Sequence, residues 1–139
     1  MKLFADALIA AAAVSEYSTI QIMENGIPKT LYVASYFKNS VGNTIDMPFN
    51  SGAVLIESPT VDPNHFYKPN LLGGSVDYDV DLSLSNCGCI AAFYLFKAPG
   101  KDVNGNPWNT DGYYYCDANQ VGGNFCPEFD IMEANQWAF

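Results

Sequence analysis

Three carboxylates stand close together near the end of the 139-residue chain, in the stretch EFDIMEANQW: Glu128, Asp130 and Glu133. Bulky apolar residues separate them, so the stretch otherwise resembles a buried strand. Charge repulsion and desolvation disfavour such crowding unless a positive group or a shared proton compensates. Two carboxylates several Å apart can act as nucleophile and general acid/base at the anomeric carbon of a sugar. The pattern is therefore compatible with glycosidic chemistry, although an acidic strand edge is the more common explanation of such a stretch.

This chemistry requires the three carboxylates to share one face of the strand. On a regular strand Glu128 and Asp130 point to the same side, but Glu133, five residues after Glu128, points to the other. A one-residue β-bulge near Met132 would return Glu133 to the first side, where Asp130 could share a proton with the two glutamates. We therefore predict a bulge between Asp130 and Glu133.

The elements that would position these acids are strands. Residues 75–84, SVDYDVDLSL, alternate apolar and polar side chains with a period of two, which predicts a strand with one buried and one solvated face. The aspartates of this segment fit a solvated face, and a calcium site is the alternative. The apolar run 89–97 and the acidic stretch 128–133 are predicted to be strands as well, antiparallel to the first. Tyr78 and Val80 of the first strand and Phe93 and Leu95 of the second are expected to be buried.

Further short strands are expected at 17–22, 30–37 and 53–58. Turn clusters rich in glycine, proline and asparagine separate these segments, and no helical periodicity is present after the N-terminal stretch. Several short strands joined by such turns predict an all-β fold, a sandwich or a barrel.

The charge balance limits the partners. Fifteen acidic residues face six lysines, there is no arginine, and the formal net charge is -9. Phosphate recognition needs Arg and Lys clusters, so neither nucleic acid nor an anionic membrane surface is expected as a partner. With a single histidine, His65, the chain lacks the second histidine of a copper brace, and no phosphate-cradling glycine loop is present. No cofactor and no metal are expected, and the polar, lightly charged surface suits a neutral, hydroxyl-rich ligand.

The N-terminus has the pattern of a secretory signal peptide. Lys2 is followed by an apolar stretch from Leu3 to Val14 and by the small-x-small sequence Ala13-Val14-Ser15. A short amphipathic helix is the alternative, and the apolar stretch is too short to span a bilayer. We therefore predict a signal peptide over residues 1–15, a mature domain over 16–139, and a secreted, extracellular monomer.

Four cysteines would then enter an oxidising compartment. Cys116 and Cys126 bracket a short loop with two glycines, and Cys87 and Cys89 are separated by one glycine. Disulfides are favoured over a zinc site because the cysteine spacing matches no zinc pattern closely. The pairing of Cys87 and Cys89 stays open.

The stretch EFDIMEAN resembles the signature EMDIWEAN of glycoside hydrolase family 7, which comprises retaining cellobiohydrolases and endo-β-1,4-glucanases. Upstream, DYDVDLS, NCGCIAAFYL and YYCD resemble further motifs of that family, in the family's order. The resemblance covers roughly residues 74–137. Met132 stands where the family signature has Trp, and Ile90 where a further motif has Asn. Family 16 laminarinases and lichenases, which share the fold and an acidic strand motif, are the nearest competitor.

The family resemblance implies a role for each acid. Glu128 would be the nucleophile, Asp130 its support and Glu133 the acid/base, and Cys116 would be linked to Cys126. It also implies a jelly-roll, concanavalin A-like antiparallel β-sandwich acting on β-1,4-glucan. Because such enzymes run to several hundred residues, the chain is expected to be the N-terminal part of one, holding a partial sandwich, or a shortened relative that lost activity.

Three aromatic side chains are candidate sugar platforms: Tyr94, Trp108 and Trp137. Tyr94 stands in a family-like position, whereas either tryptophan could equally belong to core or loop packing. The predicted ligand is a β-glucan polysaccharide or oligosaccharide. Two alternatives remain open: a non-catalytic, lectin-like carbohydrate-binding relative, and a secreted structural or adhesive β-protein.

Overall fold

The structure, a computed structural model, describes residues 17–35, 40–108, 113–120 and 125–139. Within these ranges all regular elements are strands: β1 (Ser18–Glu24), β2 (Ile27–Ser35), β3 (Ser40–Val41), β4 (Thr44–Ile45), β5 (Ala53–Ile56), β6 (Ala91–Phe96) and β7 (Glu128–Ala134). The all-β prediction is confirmed for this part of the chain. In the same residues, no helix is found that could span a bilayer. The predicted signal peptide, residues 1–15, lies outside the described residues.

The strands form three separate sheets, and every ladder pair between strands is antiparallel. A three-stranded sheet has the order β1-β2-β5, while β3–β4 and β6–β7 are two-stranded. A two-residue loop joins β1 to β2, with Asn25 at φ 54° and Gly26 at φ 78°. A turn with positive φ at both positions matches the right-handed twist of the two strands that it joins. Asn and Gly adopt positive φ readily, which explains why this pair stands here.

The core lies on both faces of the three-stranded sheet. Because side chains alternate along a strand, Leu31 and Val33 share one face, where they form a cluster with Ile20. On the other face Ala34 clusters with Ile56 and Phe66.

Phe66 joins the three-stranded sheet to the β6–β7 pair. Its ring contacts Phe96 of β6 at a centroid distance of 6.3 Å and Tyr114 at 6.4 Å, both edge-on. Edge-to-face aromatic contacts stabilise by more than the area they bury. The β6–β7 pair is therefore packed onto the larger sheet through aromatic rings.

The predicted strand at 75–84 is wrong. The segment is irregular, no strand pairs with it in the described residues, and Tyr78 and Val80 keep 41% and 46% of their surface exposed. Short polar side chains bond locally instead: Ser75 Oγ donates to Asp77 at 3.2 Å, and Asp81 accepts from the Ser83 N–H at 2.9 Å. Such bonds compete with a strand ladder.

The burial predicted for the apolar run 89–97 is also only partly met. Phe93 and Leu95 of β6 are half-buried rather than buried. Tyr78 packs edge-on against Phe93 with centroids 5.0 Å apart, so the irregular segment still covers part of β6. Two predicted positions of the 30–37 strand, 36 and 37, lie outside the described residues.

Candidate functional site

The acidic strand β7 contains the predicted bulge. Phe93 of β6 pairs with Met132, but the next residue, Tyr94, pairs with Asp130, so Ile131 is left without a cross-strand partner. An extra residue on one strand of an antiparallel pair is a β-bulge. The irregularity lies between Asp130 and Glu133, where the spacing of the acids requires it.

The bulge places the three carboxylates on one face. Glu128 pairs with Phe96, Asp130 with Tyr94, and Glu133 with Ala92. Directly paired residues of antiparallel strands share a face, and the three partners follow one another at intervals of two along β6. We call this side of the β6–β7 pair the acid face. Glu128 is half-buried there, Asp130 and Glu133 are exposed, and Met132 and Ala134 are buried on the opposite side.

A disulfide holds a second segment against the start of β7. Cys116 and Cys126 are bonded, with Cα atoms 5.5 Å apart, so the pairing implied by the family resemblance is confirmed. The Cys126 N–H donates to the carbonyl of Asp117 at 3.1 Å. The Ala118 N–H donates to Glu128 Oε2, also at 3.1 Å. Glu128 is therefore held by a backbone donor from the disulfide segment.

The two other cysteines carry free thiols. Cys87 is exposed and Cys89 is half-buried. The question left open by their spacing is thus answered for this structure, because neither is part of a disulfide.

Tyr115 and Asp117 lie beside the acid face. Asp117 is only 3% exposed, and its Oδ2 accepts a hydrogen bond of 3.2 Å from the Tyr115 hydroxyl. The Tyr115 ring stands edge-on to Tyr94 at a centroid distance of 6.0 Å. Tyr115 thereby lies between a buried carboxylate and Tyr94, the residue opposite Asp130.

Burial raises the pKa of both tyrosines. For Tyr94 desolvation is the largest cause; the hydrogen bond from Tyr115 lowers the pKa, and the charges of Glu128, Asp117 and Asp130 raise it further. For Tyr115 desolvation is again the largest cause, followed by interactions with Tyr94, Asp117 and Glu128. Both phenols therefore remain protonated at neutral pH and retain their hydroxyl protons.

The three candidate sugar platforms have different positions. Tyr94 lies on the acid face, half-buried between Phe96 and Tyr115. The Trp108 N–H donates to the Gly100 carbonyl, which places it in the loop after β6. Trp137, 75% exposed, lines a shallow depression of about 430 Å³ together with residues 82–83 and 135–139, and none of the three carboxylates lines it. Of the three, the structure places Tyr94 with the acids.

Among the described residues, no group of three or more His, Cys, Asp or Glu side chains is arranged to hold a metal ion.

Sequence reasoning missed Tyr115 and Asp117 as site residues. Both belong to the motif YYCD, in which only the cysteine and the likeness to a family motif suggested a role. A signal was available, because Cys126 stands two residues before Glu128 and a disulfide to Cys116 must bring residues 115–118 close to that glutamate.

Comparison with known proteins does not extend this description. No protein-family model, no curated protein and no solved structure matches the chain.

Proposed function

We propose that the chain carries the catalytic strand of a secreted, retaining glycoside hydrolase that cleaves β-1,4-glucan, built on an antiparallel β-sandwich. The observation that carries the proposal is the unpaired Ile131, which gives Glu128, Asp130 and Glu133 a common face despite their uneven spacing. A merely acidic strand edge has no need of such a device. The resemblance to glycoside hydrolase family 7 supports the same assignment.

In this mechanism each carboxylate has its own role. Glu128, which accepts the Ala118 N–H, attacks the anomeric carbon and forms a covalent glycosyl-enzyme. Glu133, exposed and therefore able to exchange protons with water, protonates the leaving oxygen and later deprotonates the attacking water. Retention requires the two carboxyl groups to be about 5–5.5 Å apart in the productive complex. Asp130 stands between them on the same face and supports the nucleophile.

Trapping the intermediate tests the proposal directly. The full chain is incubated with a 2-deoxy-2-fluoro-cellobioside carrying a good leaving group, which slows hydrolysis of the glycosyl-enzyme. Peptide mass spectrometry is expected to find one fluoro-cellobiosyl group on Glu128. Glu128→Gln should abolish labelling, whereas Glu133→Gln should retain it, because a good leaving group needs no protonation. Absence of the label, or a label that persists in Glu128→Gln, would refute Glu128 as the nucleophile.

Azide distinguishes the role of Glu133. In Glu133→Gln the second step lacks its base, and azide needs none. Turnover of an activated cellobioside should therefore recover with azide and give a β-glycosyl azide. An α-glycosyl azide, or no recovery, would contradict a retaining mechanism with Glu133 as acid/base.

A lectin-like, carbohydrate-binding role is the second candidate. It is favoured by the exposure of Asp130 and Glu133 and by the position of the shallow depression, which is lined by Trp137 and by none of the three acids. Binding of cello-oligosaccharides without labelling or cleavage would favour this role. Preference for mixed β-1,3/1,4-glucans would instead favour a family 16-type enzyme.

A further inference from the structure

Two cysteine thiols lie one residue apart in a turn that precedes β6. Cys87 and Cys89 are the two cysteines outside the disulfide, and Cys87 is exposed whereas Cys89 is half-buried. Gly88 between them has a φ of 84°, and the Cys89 N–H donates to the Asn86 carbonyl at 3.0 Å. A hydrogen bond across four residues with a glycine of positive φ at the third is the pattern of a type II β-turn.

This turn favours a bond between the two sulfurs. In a straight strand, Cα atoms two residues apart are about 6.7 Å from each other, close to the upper limit for a disulfide. A chain that bends at Gly88 is more compact than a strand, which brings Cys87 and Cys89 closer together. Apart from its chain neighbours, a Cβ atom built on Gly88 would meet nothing within 4 Å, so the corner of the turn is open to a reaction partner.

Hydrogen bonds from the residues after β7 hold the turn in place. The Gln136 N–H donates to the Ser85 carbonyl at 2.9 Å, and the Gln136 side-chain amide donates to Asn86 Oδ1. Asn135 Nδ2 donates to the Cys89 carbonyl at 3.2 Å. The backbone on both sides of the turn is therefore fixed, and two groups that are held near each other react faster than two that must meet by diffusion.

The two thiols differ in their access to solvent. Thiol–disulfide exchange starts when a thiolate attacks a sulfur of a disulfide, and its rate depends on access to the attacking thiol. The exposed Cys87 is suited to this first attack on a partner from solution, whereas the half-buried Cys89 is shielded from it. Cys89 is instead suited to the second attack, on the Cys87 sulfur, which needs no access from solvent.

We propose that Cys87 and Cys89, positioned by the turn at Gly88, are a redox-active dithiol that reduces disulfides and becomes a disulfide itself. The Cys87 thiolate attacks one sulfur of a disulfide R–S–S–R, the S–S bond breaks, and RS⁻ leaves and is protonated by water. The Cys89 thiolate then attacks the Cys87 sulfur and releases the second RS⁻, which is protonated likewise. In sum the two protein thiols give two electrons and two protons to the disulfide. This inference does not depend on the proposed glycosidase function.

Exchange with glutathione disulfide tests the proposal. The full chain, with the Cys116–Cys126 bond formed, is incubated in glutathione buffers of increasing oxidised fraction, quenched with acid and alkylated. Peptide mass spectrometry should find Cys87 and Cys89 either both alkylated or joined to each other, with half of the molecules oxidised at an intermediate buffer ratio. A glutathione adduct of Cys87 should not accumulate, because Cys89 displaces the glutathione. No Cys87–Cys89 disulfide at any ratio, or a persistent adduct, would overturn the inference.

Serine variants separate the two roles. In Cys89→Ser the second attack is lost, so Cys87 should accumulate one glutathione per chain. In Cys87→Ser the remaining thiol is half-buried, and its reaction with glutathione disulfide should be about tenfold slower than that of Cys87 in the first variant. Equal rates in the two variants would contradict the assignment of Cys87 as the attacking thiol.

A pair of glycine variants tests the turn. Gly88 and Gly105 both have positive φ, 84° and 83°, and at both a new Cβ would meet nothing within 4 Å. Alanine strains the backbone similarly at the two positions, but only Gly88 lies between two thiols. Gly88→Ala should therefore slow the closure of the Cys87–Cys89 disulfide several-fold, seen as a longer-lived glutathione adduct, whereas Gly105→Ala should leave the closure rate unchanged. Equal closure rates in the two variants would refute the role of the turn.

Discussion

Asp130 lies directly opposite Tyr94 in the β6–β7 pair, although the preceding residue of β6 is paired with Met132. This one-residue offset joins the two parts of the site. It places Asp130 on the same face as the two glutamates, and it sets the acids next to Tyr94, whose ring packs against Tyr115, the donor to the buried Asp117. The acids and the ring contact between Tyr94 and Tyr115 therefore meet at the same local irregularity.

Deletion of Ile131 tests the bulge. The shortened strand would be regular, with the three acids at intervals of two, so the acid face and the pairs Tyr94–Asp130 and Phe93–Met132 should persist. We expect a loss of about 1 kcal/mol in the free energy of unfolding, typical of a single change. Cross-strand Overhauser effects between α-protons provide the measurement.

A matched deletion provides the control. Removing Phe129, which is 63% exposed, should turn Glu128 to the opposite face from Asp130 and Glu133. If instead the Ile131 deletion moved Glu133 to the side of Met132, the assigned register of β7 would be wrong.

Loss of the disulfide should loosen the contact with Glu128. Replacing Cys116 and Cys126 by serine frees a loop with a sequence separation of 10, and we expect unfolding to become easier by about 2–4 kcal/mol. The Ala118 amide should also exchange faster, because its hydrogen bond to Glu128 is no longer held in place. Urea denaturation and amide exchange measure the two effects. Serine at Cys87 and Cys89, which are free thiols, should change neither.

Gly100 is predicted to tolerate no side chain. A Cβ atom there would come within 2.8 Å of the Tyr115 carbonyl oxygen and 3.1 Å of the Cys116 Cβ. Gly100→Ala should therefore displace the segment that carries Tyr115, at a cost of about 1–3 kcal/mol. Gly52→Ala, where the new methyl group meets nothing within 4 Å, should stay within about 0.5 kcal/mol of the wild type. Equal denaturation midpoints for the two variants would contradict this packing.

The ionisation of Glu24 should depend on Tyr67. The Tyr67 hydroxyl donates to Glu24 at 2.8 Å, and this bond, ahead of the one from Lys29, lowers the pKa of Glu24 from its ordinary value of 4.5. A lowered carboxyl pKa contributes stability that is present above the unfolded pKa and is lost as the pH falls through the folded one. Tyr67→Phe should raise the pKa of Glu24 toward 4.5 in a ¹³C NMR titration. A pKa unchanged by Tyr67→Phe would show that Lys29 dominates.

The sequence by itself determined the strands that carry local signals. Asn25-Gly26 specified a two-residue hairpin, and the apolar run 89–97 specified β6, because turn chemistry and apolar runs act over a few residues. The spacing of Glu128 and Glu133 even required a bulge, since only an added residue gives the two side chains a common face.

Only the tertiary structure decided which of the strand patterns in the sequence form paired strands. Residues 75–84 alternate as a strand should, yet a ladder needs a partner strand, and in the described residues none pairs with them. The residue that bulges, Ile131, is likewise defined by its pairing with β6 rather than by its own type. The approach of Tyr115 and Asp117 to the acid face depends on a disulfide and on the close passage of Gly100, contacts between residues distant along the chain. Alternation along one segment states which side chains share a face, whereas pairing and burial are properties of two segments together.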